Sequence, residues 1–222
     1  IYLDGDVSVA GDISPLLATR LPHGAVAAVA ENFILHEEPD GQTPVWLTSI
    51  LQEVGLSSAR DYFNSGVMAF RADTWSEVGP KAMAYYRENE ASCRHHDQSA
   101  LNSVLAGRWL RLGLGYNFQS FFVPVVAADA VNRRLLHFSS SPKPWVSAAS
   151  PWDPWLGAPY RRLAARHAAL FPKEAADYGS GLIRDQLPVL RPVKRRLRDL
   201  LDGRRKGANL RRYLEQETFL LS

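Results

Sequence analysis

The sequence has a single cysteine, Cys93, only two methionines, and no apolar run of the ~18 residues that a membrane-spanning helix needs. One cysteine excludes an internal disulfide framework and fits a reducing compartment. The missing apolar run excludes a predicted transmembrane helix. No repeat and no low-complexity tract is present. No signal-peptide pattern is visible either. Because the chain opens at Ile1, directly in an apolar segment, it is expected to lack an upstream portion.

What is present is ordinary globular material: 222 residues, 46% apolar and 22% charged. That length suits one medium domain with an appendage, or two small domains, with a sizeable buried core. The net charge of +3 is unevenly spread. Between Arg184 and Glu215 stand eleven Lys/Arg against four Asp/Glu, a local balance of +7, which leaves the remainder at −4. A basic tail on a mildly acidic body points to an anionic partner surface.

Short apolar runs alternate with helical patterns, so the expected class is α/β. The strand candidates are Ile1–Leu3, Ala25–Val29, Gly66–Phe70, Trp109–Leu114 and Leu135–Phe138. Asp73 or Thr74 is expected to cap a helix through Tyr86, with Glu77 completing a capping box. Asp97 is expected to open a second helix that Gly107 stops. Ser139 to Pro159 reads as loop, and Arg161–Leu170 as helix. Pro192 starts a basic helix with Val193, Leu197, Leu200 and Leu201 on one face; Gly203 is expected to interrupt it before Leu210, Tyr213 and Leu214.

An apolar run that ends in Asp4-Gly5-Asp6 puts two carboxylates at the carboxyl edge of a strand, where open α/β sheets bind ligands. Hard divalent cations take oxygen ligands and can bridge such a pair to a pyrophosphate. Taken alone, the pair reads first as turn and capping residues. It also resembles the first motif of haloacid-dehalogenase-type phosphatases, with Asp4 as nucleophile and Asp6 as acid/base. That family needs a downstream lysine before an acidic metal cluster, and none of Lys81, Lys143, Lys173, Lys194 or Lys206 fits. The phosphatase reading is disfavoured.

Four segments, in order, carry a more specific likeness. They are Ile1-Tyr2-Leu3-Asp4-Gly5-Asp6-Val7 with Gly11-Asp12-Ile13, then Tyr62-Phe63-Asn64-Ser65-Gly66-Val67-Met68. Asp97-Gln98-Ser99-Ala100-Leu101-Asn102 follows, with Trp109, Leu112 and Tyr116-Asn117 after it, and the last is Leu136-His137-Phe138 with Lys143-Pro144-Trp145. Over roughly residues 1–145 the chain resembles glycosyltransferase family 8, the group containing bacterial lipopolysaccharide galactosyl- and glucosyltransferases and glycogenin. The resemblance implies a glycosyltransferase A-type, Rossmann-like mixed sheet, here N-terminally truncated and followed by a C-terminal helical extension. Residues 1–150 would be the metal- and sugar-binding part of the catalytic domain, and 151–222 the basic extension.

The resemblance also implies roles. Asp4, Asp6 and His137 would hold Mn²⁺ or Mg²⁺, an oxygen and nitrogen set that suits Mn²⁺ better than Ca²⁺. Lys143 would meet the diphosphate, and Ser140 stands where the family often has a glycine near phosphate. Asn64 and Gly66 would lie beside the donor sugar. Gln98 would lie near the anomeric carbon, and Asp97, whose local reading is an N-cap, would hydrogen-bond sugar hydroxyls. Glu31, at the end of the Ala25–Val29 strand, would approach the sugar. The implied reaction is retaining transfer of a hexose from a UDP-sugar to a glycan or glycolipid acceptor. A retaining two-carboxylate mechanism needs an acidic nucleophile, and Gln98 is a poor one, so its expected part is electrostatic. With its nucleotide-binding strands outside the sequence, this chain alone is expected to bind UDP-sugar weakly. A non-catalytic glycan- or membrane-binding relative is the alternative.

The basic extension has a default reading as a solvated helix. Its second reading, with Trp152, Trp155 and Tyr160, is docking on an anionic membrane. No nucleic-acid-binding module accompanies the charge, so no nucleic acid is expected. The implied location is cytoplasmic, peripheral on the inner face of the plasma membrane.

Overall fold

The computed structural model describes residues 1–38, 43–126, 130–140, 143, 158–169 and 193–222. Expectations placed on Pro144, Trp145, Trp152, Trp155 and Pro192 lie outside these residues. So do the side chains of the predicted stripe from Val193 to Leu200.

In chain order the elements are β1 (Tyr2–Leu3), β2 (Val7–Val9), α1 (Ser14–Ala18), β3 (Val26–Ala30), α2 (Val45–Glu53), β4 (Phe63–Phe70), α3 (Ala72–Glu88) and α4 (His96–Leu105). Then come β5 (Leu110–Arg111), β6 (Phe118–Gln119), β7 (Leu135–His137), α5 (Ala158–Arg166) and α6 (Val193–Gln216). β3 has no polar side chain to turn toward water, and all five of its residues are buried. A strand covered on both faces reads as such an uninterrupted run.

The strands form two mixed sheets. The first has order β1-β4-β3-β5, with β4 antiparallel to both neighbours and β3 parallel to β5. The second has order β2-β7-β6, with β7 antiparallel to β2 and parallel to β6. β1 belongs to one sheet and β2 to the other, so Asp4-Gly5-Asp6 is the crossing between them. Backbone bonds pin both sides of this crossing: the Asp4 N–H donates to Gly66 O at 2.9 Å, and the Phe138 N–H to Asp6 O at 3.0 Å.

Several boundaries differ from expectation. β4 begins at Phe63, three residues before the predicted start, because Asn64 and Ser65 are buried strand residues with hydrogen-bond partners inside the protein. α3 starts at Ala72 without a capping box. Asp73 pairs with Arg71, while the buried Thr74 hydroxyl accepts the Gly24 N–H at 3.0 Å. His95 occupies the cap position of α4, so Asp97 is a first-turn residue and not the cap. Trp109–Leu114 is strand only at Leu110–Arg111.

α6 runs unbroken through Gly203, contrary to the expected interruption. A helix tolerates an interior glycine at about 1 kcal/mol, and tertiary contacts offset it here. Leu210 and Tyr213 are buried, Asn209 Nδ2 donates to Leu35 O at 3.1 Å, and Glu217 sits between Arg60 and Arg111. The chain end then runs along β5, with Leu220 N–H donating to Arg111 O and Gly113 N–H to Leu221 O. No helix among the described residues is long and apolar enough to cross a membrane.

Candidate active site

Asp4, Asp6 and His137 converge although the histidine lies far along the chain. Each presents a ligand atom within 4.8 Å of the others. Sheet pairing brings this about: β7 lies beside β2 with His137 opposite Val7, one residue after Asp6. Gly66 on β4 supplies the room. A Cβ at that position would sit 2.2 Å from His137 Cε1, so only glycine lets the imidazole lie against the strand.

Asp6 is the electrostatic centre of the cluster. His137 Nε2 is 3.3 Å from its Oδ1, and Lys143 Nζ is 2.5 Å from its Oδ2. Burial pushes the Asp6 carboxyl up, but the hydrogen bonds and positive charges of His137 and Lys143 outweigh it and hold the group at about 2. Lys143 also donates to Phe138 O at 2.6 Å. Tyr2 donates its hydroxyl to Asp4 Oδ1 at 2.6 Å. That bond, with burial and the carboxylate charges adding to it, pushes the Tyr2 phenol up to about 12. Two carboxylates and an imidazole around one point fit a Mn²⁺- or Mg²⁺-class cation in donor type.

Behind the cluster runs a network of buried side-chain amides. His137 Nδ1 is 3.0 Å from Asn117 Oδ1. Asn117 Nδ2 donates to Asn64 Oδ1 at 2.8 Å, and Asn64 Nδ2 to Glu31 Oε2 at 2.9 Å. Gln98 Nε2 donates to the same Glu31 oxygen at 2.8 Å, while its Oε1 accepts the Ser65 N–H at 3.1 Å. Glu31 Oε1 accepts from Asn32 N at 2.8 Å. A carboxylate buried among apolar strands is costly unless donors surround it, and Glu31 has donors on both oxygens.

A cleft of about 470 Å³ opens over these groups, lined by Asp4, Asp6, Glu31, Asn64, Gln98 and His137 among others. Phe33 and Phe121 give it apolar walls. Asp97 is exposed and stands between this cleft and an apolar cavity of about 430 Å³ lined by Tyr2, Trp75, Met83 and Tyr86. Ser139 lines the cleft and Ser140, the residue singled out from the sequence, is its neighbour in the chain, with its N–H donated to Ser120 Oγ at 3.0 Å. One cleft therefore brings together the carboxylates, His137, Asn64 and Gln98, with Gly66 directly behind the histidine and Lys143 beside Asp6. Asn117 lies within one of the four motifs, but nothing local gives it a part. An Asn carries no local sign of being buried, and only the pairing of β6 with β7 reveals what it touches.

The family model "Glycosyl transferase family 8" matches residues 1–149. The lipopolysaccharide glucosyltransferase WaaO of Escherichia coli is 28% identical over 166 residues, covering 69% of this chain and 45% of that protein. A probable galacturonosyltransferase-like protein of Arabidopsis thaliana is 30% identical over 186 residues, covering 75% of this chain and 53% of its own length. The chain thus spans about half the length of the curated relatives it matches. Among solved structures, the galactosyltransferase LgtC in complex with donor and acceptor sugar analogues superposes with a TM-score of 0.55 at 20% identity, covering 74% of this chain and 60% of that one. At that identity the likeness is one of fold.

Proposed function

The chain belongs to glycosyltransferase family 8 and has the glycosyltransferase A-type α/β fold, and from that premise we propose that it is the metal- and sugar-binding part of a retaining hexosyltransferase. The donor is a UDP-sugar, the transferred group galactose or glucose, and the acceptor a lipopolysaccharide-type or other cell-surface glycan. The relatives with lipopolysaccharide glucosyltransferase activity in their names support that choice of acceptor. The observation that carries the proposal is one cleft lined by two groups, the Asp4, Asp6 and His137 cluster and the hydrogen-bonded Glu31, Asn64 and Gln98.

Asp4, Asp6 and His137 would hold Mn²⁺ or Mg²⁺, which supplies Lewis-acid neutralisation of the departing diphosphate. Lys143, adjacent to Asp6, adds a second positive charge on the leaving group. Ser140 borders the diphosphate, and Asn64 and the exposed carboxylate of Asp97 orient sugar hydroxyls. At the anomeric carbon the bond to the UDP oxygen breaks, and the acceptor oxygen bonds from the same face. The acceptor's proton passes to the departing phosphate oxygen, so no protein nucleophile is needed. Gln98 contributes a fixed dipole, and Glu31 a negative charge behind it, both favouring the oxocarbenium-like transition state.

The test is release of UDP by the complete gene product from UDP-glucose and UDP-galactose, with Mn²⁺ and a lipopolysaccharide core acceptor. Activity should require the metal and be abolished by Asp6→Ala. Transfer that persists in Asp6→Ala would rule out metal catalysis through this cluster, and no UDP release by the wild type from either donor would leave only a glycan-binding role.

A further inference from the structure

We propose that Asn117 is a positioning residue for the metal ligand His137, presetting the neutral imidazole in its Nδ1–H form, through a hydrogen-bond polarity dictated by Glu31 and the Gly66 amide. The metal-binding consequence rests on the function proposed above; the proton placement does not.

Groups whose polarity has no choice fix the rest of the chain of bonds. A carboxylate only accepts. Glu31 Oε2 therefore faces N–H groups, and the side chain of Asn64 must turn its Nδ2 toward it, at 2.9 Å. A backbone N–H only donates. Gly66 N lies 3.0 Å from the other end of the same amide, which must be Oδ1. Two independent neighbours thus assign the same orientation to Asn64. Its oxygen also faces Asn117 at 2.8 Å, so the Asn117 atom there is Nδ2. Asn117 Oδ1 is then the atom 3.0 Å from His137 Nδ1, and an amide oxygen accepts. The ring nitrogen facing it carries the hydrogen.

The result is a one-way relay from Glu31 through Asn64 and Asn117 to His137, with every member buried. Its output is at the opposite ring nitrogen. Nε2, 3.3 Å from Asp6 Oδ1, is left with a lone pair facing the carboxylate cluster. Histidine ligands depend on such a partner at the second nitrogen, and removing one typically costs about 10–100-fold in metal affinity. Asp6 pulls the other way, since as an acceptor it favours a proton on Nε2. Without Asn117 that pull is unopposed, and the ring takes the form that cannot ligate through Nε2.

Nitrogen-15 spectra of histidine-labelled, metal-free protein, recorded at alkaline pH with the ring neutral, test the placement directly. His137 should carry its proton on Nδ1 in the wild type and in Asn117→Asp, whose carboxylate still accepts from Nδ1 although it gives up the bond to Asn64 Oδ1. It should move to Nε2 in Asn117→Leu. A wild-type ring protonated on Nε2 overturns the proposal. Mn²⁺ titration followed by electron paramagnetic resonance gives the second readout. Affinity should fall about 10–100-fold in Asn117→Leu and clearly less in Asn117→Asp, which keeps the acceptor at Nδ1 and loses only the bond to Asn64. Equal losses in both variants would mean that Asn117 only supports packing, which also overturns it. If the wild type binds no Mn²⁺, the metal reading fails, and the nitrogen spectra still decide the relay.

Discussion

Gly66 concentrates more constraint than any charged group around it. It lies within β4, and its missing side chain is the space that the His137 ring occupies. A methyl group at 2.2 Å from a ring carbon is impossible, so the ring must give up its place against the strand and its contact with Asn117. Gly66→Ala should therefore expel the imidazole. We expect Mn²⁺ affinity to fall by at least about tenfold, as when a ligand is misplaced, while the circular dichroism spectrum stays that of the folded protein. Unchanged metal binding would show that the ring has room the geometry denies. The sequence marks Gly66 as notable only through an ordered motif. Its partner stands 71 positions later, and nothing local in Asn-Ser-Gly-Val says what presses on the glycine. Asp4 and Asp6 are legible for the opposite reason, since an acidic pair that closes an apolar run is visible without knowing its neighbours.

Among the elements, those that announce themselves are those buried on one clear pattern. β3 is an apolar run, and α4 ends where Ala106 and Gly107 take left-handed backbone angles of 45° and 74° in φ. β4 was harder to delimit because its first half is polar and buried. Asn102, wholly buried on α4, accepts the Phe63 N–H at 2.8 Å and donates to Phe63 O at 2.9 Å, standing in for a neighbouring strand. β2 and β6 have only three and two residues and exist through their pairing with β7. α6 divides its basic and apolar residues in a way the sequence pattern only half suggested. Leu210 and Tyr213 turn inward, while Leu201 and Leu214 are 56% and 37% exposed. Arg204 and Arg211 are exposed as well, and helical spacing sets them on the side of Leu201 and Leu214. We propose that this side of α6 meets the anionic inner face of the plasma membrane. The protein should cosediment with phosphatidylserine vesicles at low salt and release at high salt. Arg204→Glu with Arg211→Glu should weaken that binding without altering the fold. No cosedimentation at low salt would remove the membrane from the account.

At the scale of the molecule, two half-buried histidines tie stability to pH. Burial pushes His36 and His95 below the ordinary value of 6.5, and neighbouring positive groups add to it, Lys206 and Arg205 for His36 and His96 and Arg94 for His95. Asp202 and Glu38 oppose this at His36, as Glu31 does at His95, without reversing it. Folding therefore favours the neutral rings. Their contribution is complete above 6.5, where the unfolded chain is neutral too, and is lost as pH falls toward the depressed values of the folded state. Thermal unfolding should show a flat Tm from about pH 8 to 7 and a decline toward about pH 5.5. His36→Asn together with His95→Asn should flatten that decline, and an unchanged slope would assign it to other groups.

The docking of α6 onto the segment after β3 also has a meaning in time. Asn209 reaches Leu35 across 174 residues of chain. A ribosome adding about 5–20 residues per second needs roughly 10–30 s to make that stretch. For that interval the segment beside Glu31 has been synthesised but has no α6 to cover it. The apolar groups of Ile34 and Leu35 must be shielded by Phe33, Tyr62 and other early neighbours or by a chaperone. A helix made long after that segment is thus the one that covers it.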